Sequence, residues 1–107
     1  MSIKTINNKE EFITIINNGY TFVDFYTTWC GPCKMLAPIV EQISTQFKDI
    51  NFLKVDIDQF SDIAQMFFIQ SIPTIYLFKD GKPLNHFVGF KPVTEIIEFI
   101  KQNKKSK

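Results

Sequence analysis

Apolar residues recur along the chain with two alternating periods, and the switches between them mark out the elements. Residues 2–6 alternate, which predicts a short strand. Asn8 is placed to cap a helix, and Glu11, three residues on, resembles the second half of a capping box. Phe12, Ile15 and Ile16 share one helical face, and Asn18-Gly19 stops that helix at about residue 18. From Tyr20 to Tyr26 the pattern becomes a dense aromatic and β-branched run, Phe22-Val23-Asp24-Phe25-Tyr26, as in a central strand buried on both faces. Pro32 suits the first turn of a second helix. Met35, Leu36, Ile39, Val40, Ile43 and Phe47 carry it to about residue 48, with a kink at Pro38.

Asn51 to Asp56 reads as a third strand, residues 59–67 as a short helix, and Ile72 to Phe78 as a fourth strand. Lys79-Asp80-Gly81-Lys82 is a hairpin turn with Asp-Gly as its signal, and Leu84 to Val88 is the fifth strand. A last helix begins near Pro92 and turns Val93, Ile96, Ile97 and Ile100 inward, ending in a basic tail of Lys104, Lys105 and Lys107. That tail reads as a solubilising element whose charge suits a helix C-terminus. The order βαβαβαββα, with right-handed crossovers, predicts an α/β fold. Its five-stranded mixed sheet carries helices on both faces.

The 107 residues fill one domain, residues 1–107, and 45% hydrophobic with 21% charged residues is an ordinary globular balance. All 12 basic residues are lysine and the net charge is +1, so nucleic acid is not the expected partner and bidentate guanidinium recognition is ruled out. No run approaches the ~18–20 apolar residues of a membrane span, and the start lacks the pattern of a signal peptide. A reducing cytoplasmic setting is the expectation.

Chemistry concentrates in Trp29-Cys30-Gly31-Pro32-Cys33. Two cysteines three apart on the first turn of a helix lie close enough to form a disulfide across a tight loop. Cys30, at the helix start, meets unpaired N–H groups and the positive end of the dipole. Such placement lowers a thiol pKa from about 8.5 to roughly 3.5–7.5. Cys30 is therefore expected to be the exposed thiolate and Cys33 the buried, protonated partner. That asymmetry gives a dithiol–disulfide exchange in which Cys30 attacks and Cys33 resolves. Two other readings compete. A structural metal site needs about four ligands, but the chain has two cysteines and one histidine, His86, so no metal is expected. The other is an inert buried pair at helical spacing.

Trp29-Cys30-Gly31-Pro32-Cys33-Lys34 resembles the active-site signature of the thioredoxin family, and the resemblance runs through nearly the whole chain. Phe22-Val23-Asp24-Phe25 is similar to that family's central strand with its buried aspartate, and Ala37-Pro38 to its kinked helix. Lys54-Val55-Asp56 resembles the next strand, Ile72-Pro73-Thr74 the cis-proline loop, and Val88-Gly89 the glycine loop beside the active site. The resemblance implies the thioredoxin fold, a central five-stranded mixed sheet flanked by four helices. It also implies roles. Asp24, buried and raised in pKa, accepts or relays the Cys33 proton; the alternative is a solvent-facing strand end. Lys54 modulates Asp24, or is a surface lysine. Pro73 lies cis against the sulfurs and discourages metal binding, or is a plain loop proline. Trp29, Gly31, Pro32, Ile72, Gly89 and Phe90 form an apolar apron for clients, with the Ile72 backbone pairing to an extended segment; for Phe90 partial core burial competes.

The implied function is reduction of client-protein disulfides through a redox-active Cys30–Cys33 disulfide with no bound cofactor. A monomer recycled by an NADPH-dependent flavoprotein, thioredoxin reductase, is expected. An oxidant or isomerase of the same fold, and a non-enzymatic binding subunit, are the alternatives. Two departures stand out: Thr27-Thr28 before the tryptophan, and an aromatic third-helix region in which Phe68 occupies a place where glycine is common. Exposure of Phe60 or Phe68 is expected to alter partner choice.

Overall fold

The computed structural model describes residues 3–106. Its elements run β1 (Ile3–Lys4), α1 (Lys9–Ile16), β2 (Tyr20–Tyr26), α2 (Gly31–Ser44), β3 (Ile50–Asp56), α3 (Ser61–Met66), β4 (Thr74–Lys79), β5 (Lys82–Val88) and α4 (Val93–Ser106). The sheet order is β1-β3-β2-β4-β5. β1, β3 and β2 are parallel, and β4 joins β2, and β5 joins β4, antiparallel. The expected α/β fold with five strands and four helices is therefore present.

β2 is the central strand, and its residues 21–25 are all buried. One sheet face packs Phe22, Phe52, Ile75 and Leu77 against Leu36, Val40 and Ile43 of α2 and Ile96 and Ile100 of α4. The other packs Val23, Phe25, Leu53, Val55 and Phe78 against Phe12 and Ile16 of α1 and Ile63 of α3. Alternation along β2 then sets Asp24 on the Phe22 face, under α2.

Several boundaries differ from the sequence reading. β1 is a two-residue strand; Ser2, its expected first residue, lies outside the described residues, as do Lys107 and the side chain of Lys105. α2 stops at Ser44 rather than near 48, where the Thr45 and Gln46 N–H groups turn to Gln42 O and Ile43 O in a tightened last turn, with Ser44 Oγ donating to Glu41 O and Thr45 Oγ1 to Gln42 O. Met35, one of the apolar residues that carry the helix, is 61% exposed. α3 is shorter than expected because residues 56–60 form a turn, with the N–H groups of Gln59 and Phe60 on the carbonyl of Asp56. β4 begins at Thr74, since the Ile72–Pro73 peptide is cis and Pro73 has no N–H for the ladder. β5 begins earlier, at Lys82, and its Pro83 sits beside a register shift at Leu77/Phe78 on this edge strand.

Candidate active site

The cysteines lie where β2 hands over to α2, at the carboxyl end of the central strand. Cys30 is the N-cap of α2 with extended backbone, and Pro32 occupies the first turn, where a missing N–H costs nothing. The Cys33 N–H donates to Cys30 Sγ at 3.2 Å. One of the helix's otherwise unpartnered amides therefore points at the first sulfur, at the positive end of the dipole. Cys30 and Cys33 form a disulfide with Cα atoms 5.2 Å apart. Among the described residues no cluster could hold a metal ion.

The expectation of an exposed Cys30 thiolate concerns the reduced pair; in the disulfide both residues are buried, Cys30 5% and Cys33 4% accessible. What distinguishes the two sulfurs in this state is the Cys33 N–H on Cys30 Sγ and their positions on the helix.

Asp24 sits below them. It is 5% exposed, which excludes the solvent-facing alternative, and its Oδ1 has no hydrogen bond among the described residues. Burial pushes its pKa up to about 7, and the positive charge of Lys54 partly opposes the rise. Lys54 is the Cα partner of Asp24 across the β2–β3 ladder, yet its side chain is exposed, with Nζ 5.6 Å from the Tyr26 ring centre. Asp24, Cys33, Ala37, Lys54 and Thr27 line one cavity of about 290 Å³. This open space connects carboxyl and sulfur to the surface.

Two loops at the same end of the sheet are tied to each other. Pro73 is buried and cis, and its carbonyl accepts the Gly89 N–H at 2.8 Å, which ties the two loops together. Gly89 has φ +94, a conformation glycine adopts without penalty. Trp29 is 70% exposed, Gly31 and Pro32 are exposed, and Ile72 is half-buried. Phe90 is 42% exposed and belongs to neither core cluster.

Two residues were not singled out for these roles by sequence. Asp58 accepts a hydrogen bond from Trp29 Nε1 at 2.8 Å and so orients the indole; twenty-nine residues separate the two, and no motif links them. Thr27 is buried, lines the Asp24 cavity, and leaves Oγ1 without a hydrogen bond among the described residues. Its position directly after the buried β2 run was the available signal.

The thioredoxin family model matches residues 3–102. A thioredoxin of Mycoplasmoides gallisepticum is 44% identical over 100 residues, spanning 92% of this chain and 100% of the relative. A thioredoxin of Chlamydia trachomatis is 40% identical over 96 residues, spanning 90% of this chain and 94% of that one. Among solved structures, a thioredoxin from Nicotiana alata superposes with a TM-score of 0.88 at 34% identity, covering 95% of this chain and 92% of its own.

Proposed function

The chain belongs to the thioredoxin family and is a thiol–disulfide oxidoreductase; from that premise we propose that it reduces disulfides in client proteins, with Cys30 as nucleophile, Cys33 as resolving thiol and Asp24 as proton acceptor. The Cys30 thiolate attacks one sulfur of the client disulfide. The client S–S bond breaks, a mixed disulfide forms, and the first client thiolate leaves and takes up a proton. Asp24, its pKa near neutrality, accepts the proton of Cys33 through the shared cavity. The Cys33 thiolate then attacks Cys30 Sγ, the mixed disulfide breaks, and the second client thiolate leaves and takes up the proton that Asp24 held. The client gains two electrons and two protons, and the protein keeps the Cys30–Cys33 bond.

Two electrons from NADPH, passed through a flavoprotein thioredoxin reductase, restore the dithiol. Trp29, Gly31, Pro32, Ile72, Gly89 and Phe90 form the client-facing surface, and Pro73 holds the Ile72 backbone at its edge. No helix among the described residues is long and apolar enough to cross a membrane. The reading is completed by a single-domain cytoplasmic monomer that binds no nucleic acid, membrane or prosthetic group.

The observation that carries this is the redox pair at the α2 N-terminus with a buried carboxyl in the cavity beside it. Cys33→Ser, incubated with oxidised client extract, is expected to accumulate mixed disulfides that dithiothreitol releases. Trapping by Cys30→Ser instead, or by neither variant, would overturn the order of attack.

A further inference from the structure

Helix α3 ends in a way that spends an unusual residue on an unusual position. The Ile69 N–H reaches Ala64 O at 3.0 Å and the Phe68 N–H reaches Gln65 O at 3.3 Å, the paired bonds of a Schellman motif. Its left-handed residue, ordinarily glycine, is Phe68, with φ +54. The ring gains no core packing in return. Phe68 is 85% exposed and makes no ring contact among the described residues, whereas its neighbour Phe67 packs against Phe12, Phe25, Tyr76 and Phe78.

Phe68 stands as a ridge between two hollows. One, of about 190 Å³, is walled on its far side by Tyr76, His86 and Val88. The Tyr76 and His86 rings stack there with centres 4.9 Å apart and planes 13° from parallel, and Tyr76 is stacked in turn on Phe78, so His86 is the outer ring of the stack. The other hollow, of about 520 Å³, lies toward Ile57, Ser61 and Gln65 of the α3 region. The first reaches the residues that flank the cis-proline loop. The exposed Ser71 and the buried Thr74 in its lining bracket Ile72-Pro73, and Val88, 54% exposed, precedes the Gly89 whose N–H holds the Pro73 carbonyl.

We propose that the hollow between Phe68 and the Tyr76–His86 stack is a specificity subsite that takes an aromatic side chain of the client segment flanking the attacked cysteine. The proposal rests on the oxidoreductase reading and adds a substrate preference to it. A client strand lying along the Ile72 backbone leaves the cis-proline loop beside Ser71 and Thr74, so its next side chains meet this hollow. An aromatic ring entering it meets Phe68 on one side and His86, the outer ring of the stack, on the other. The exposed Phe68 ring is then covered only when a client is bound.

The test uses pre-reduced protein in single turnover, followed by the fluorescence of Trp29, the chain's one tryptophan. The probes are disulfide-linked peptides carrying serine or phenylalanine at each of the four positions on either side of the attacked cysteine. At one position the phenylalanine peptide is expected to react about tenfold faster than its serine twin. Phe68→Gly, which gives the left-handed site its preferred residue and so is expected to fold at least as well, should bring that ratio to within twofold of unity. Because the readout is a ratio within one protein, loss of folded material does not imitate it. His86→Ala should lower the same ratio from the opposite wall. Wild-type ratios all below twofold, or a ratio that survives Phe68→Gly, would overturn the subsite while leaving disulfide reduction standing. Failure of the wild type to react with any peptide would instead overturn the oxidoreductase reading. Flat ratios together with a dimer in sedimentation that Phe68→Gly dissolves would assign the hollow to a second copy of the chain and reject the proposal.

Discussion

Asp24 concentrates the energetics of the site in one group. Its carboxyl ionises at an ordinary value of 3.8 in an unfolded chain and at about 7 in the fold, because burial disfavours the anion more than Lys54 favours it. The folded state therefore binds this proton more tightly between those values. Its contribution to stability is complete below about pH 3.8 and is lost as pH rises toward 7. Asp24→Asn keeps the shape and removes the titration. The oxidised variant is expected to match the wild type in urea near pH 4 and to exceed it at pH 8 by on the order of 4 kcal/mol. Parallel stability–pH curves for the two proteins would contradict the assignment. The same substitution removes the acceptor for the Cys33 proton, so stopped-flow should show client release slowed far more than initial attack. Equal slowing of both phases would place Asp24 outside proton transfer.

At the scale of elements, the most local signals are the ones that sequence expressed best. Asn8 Oδ1 accepts the Glu11 N–H at 2.8 Å, and Glu11 Oε1 takes the Asn7 N–H at 2.7 Å, one residue outside the usual capping-box partner. Asn8→Ala is expected to cost about 1 kcal/mol, seen as a lower urea midpoint at unchanged slope. No change in midpoint would mean that α1 is held by the packing of Phe12 and Ile16 alone. The existence and order of all nine elements were readable because each carries its own period and stop signal. What was not readable depended on contacts between distant parts. The early end of α2 lies in a tightened last turn with two hydroxyls on its carbonyls, and β4 starts after a cis bond that composition cannot express. Burial of Asp24 followed from its apolar neighbours, whereas the burial of Cys30 beside Cys33 in the disulfide was not written in the spacing of the motif. The Trp29–Asp58 hydrogen bond joins residues on opposite sides of β3, so only the folded chain brings it about.

For the molecule as a whole, the redox pair couples chemistry to folding. The disulfide closes a loop of only a few residues, which in the chain-entropy picture stabilises the fold by about 2 kcal/mol. Both cysteines are already buried and held at the start of α2, so bond formation in the folded state asks for little rearrangement. Folding and oxidation therefore form a closed cycle. If the oxidised protein is the more stable by about 2 kcal/mol, the folded disulfide must be harder to reduce than the same pair in the unfolded chain by about 40 mV. Urea unfolding of the oxidised and reduced proteins at pH 7 measures one side of the cycle. Equilibration against glutathione, in buffer and in denaturing urea, measures the other. The expected outcome is a higher midpoint for the oxidised form and a matching gap in potential. A reduced form that is the more stable would mean that the fold favours the dithiol. It would then act as an oxidant, because a disulfide that folding disfavours is passed to clients rather than taken from them.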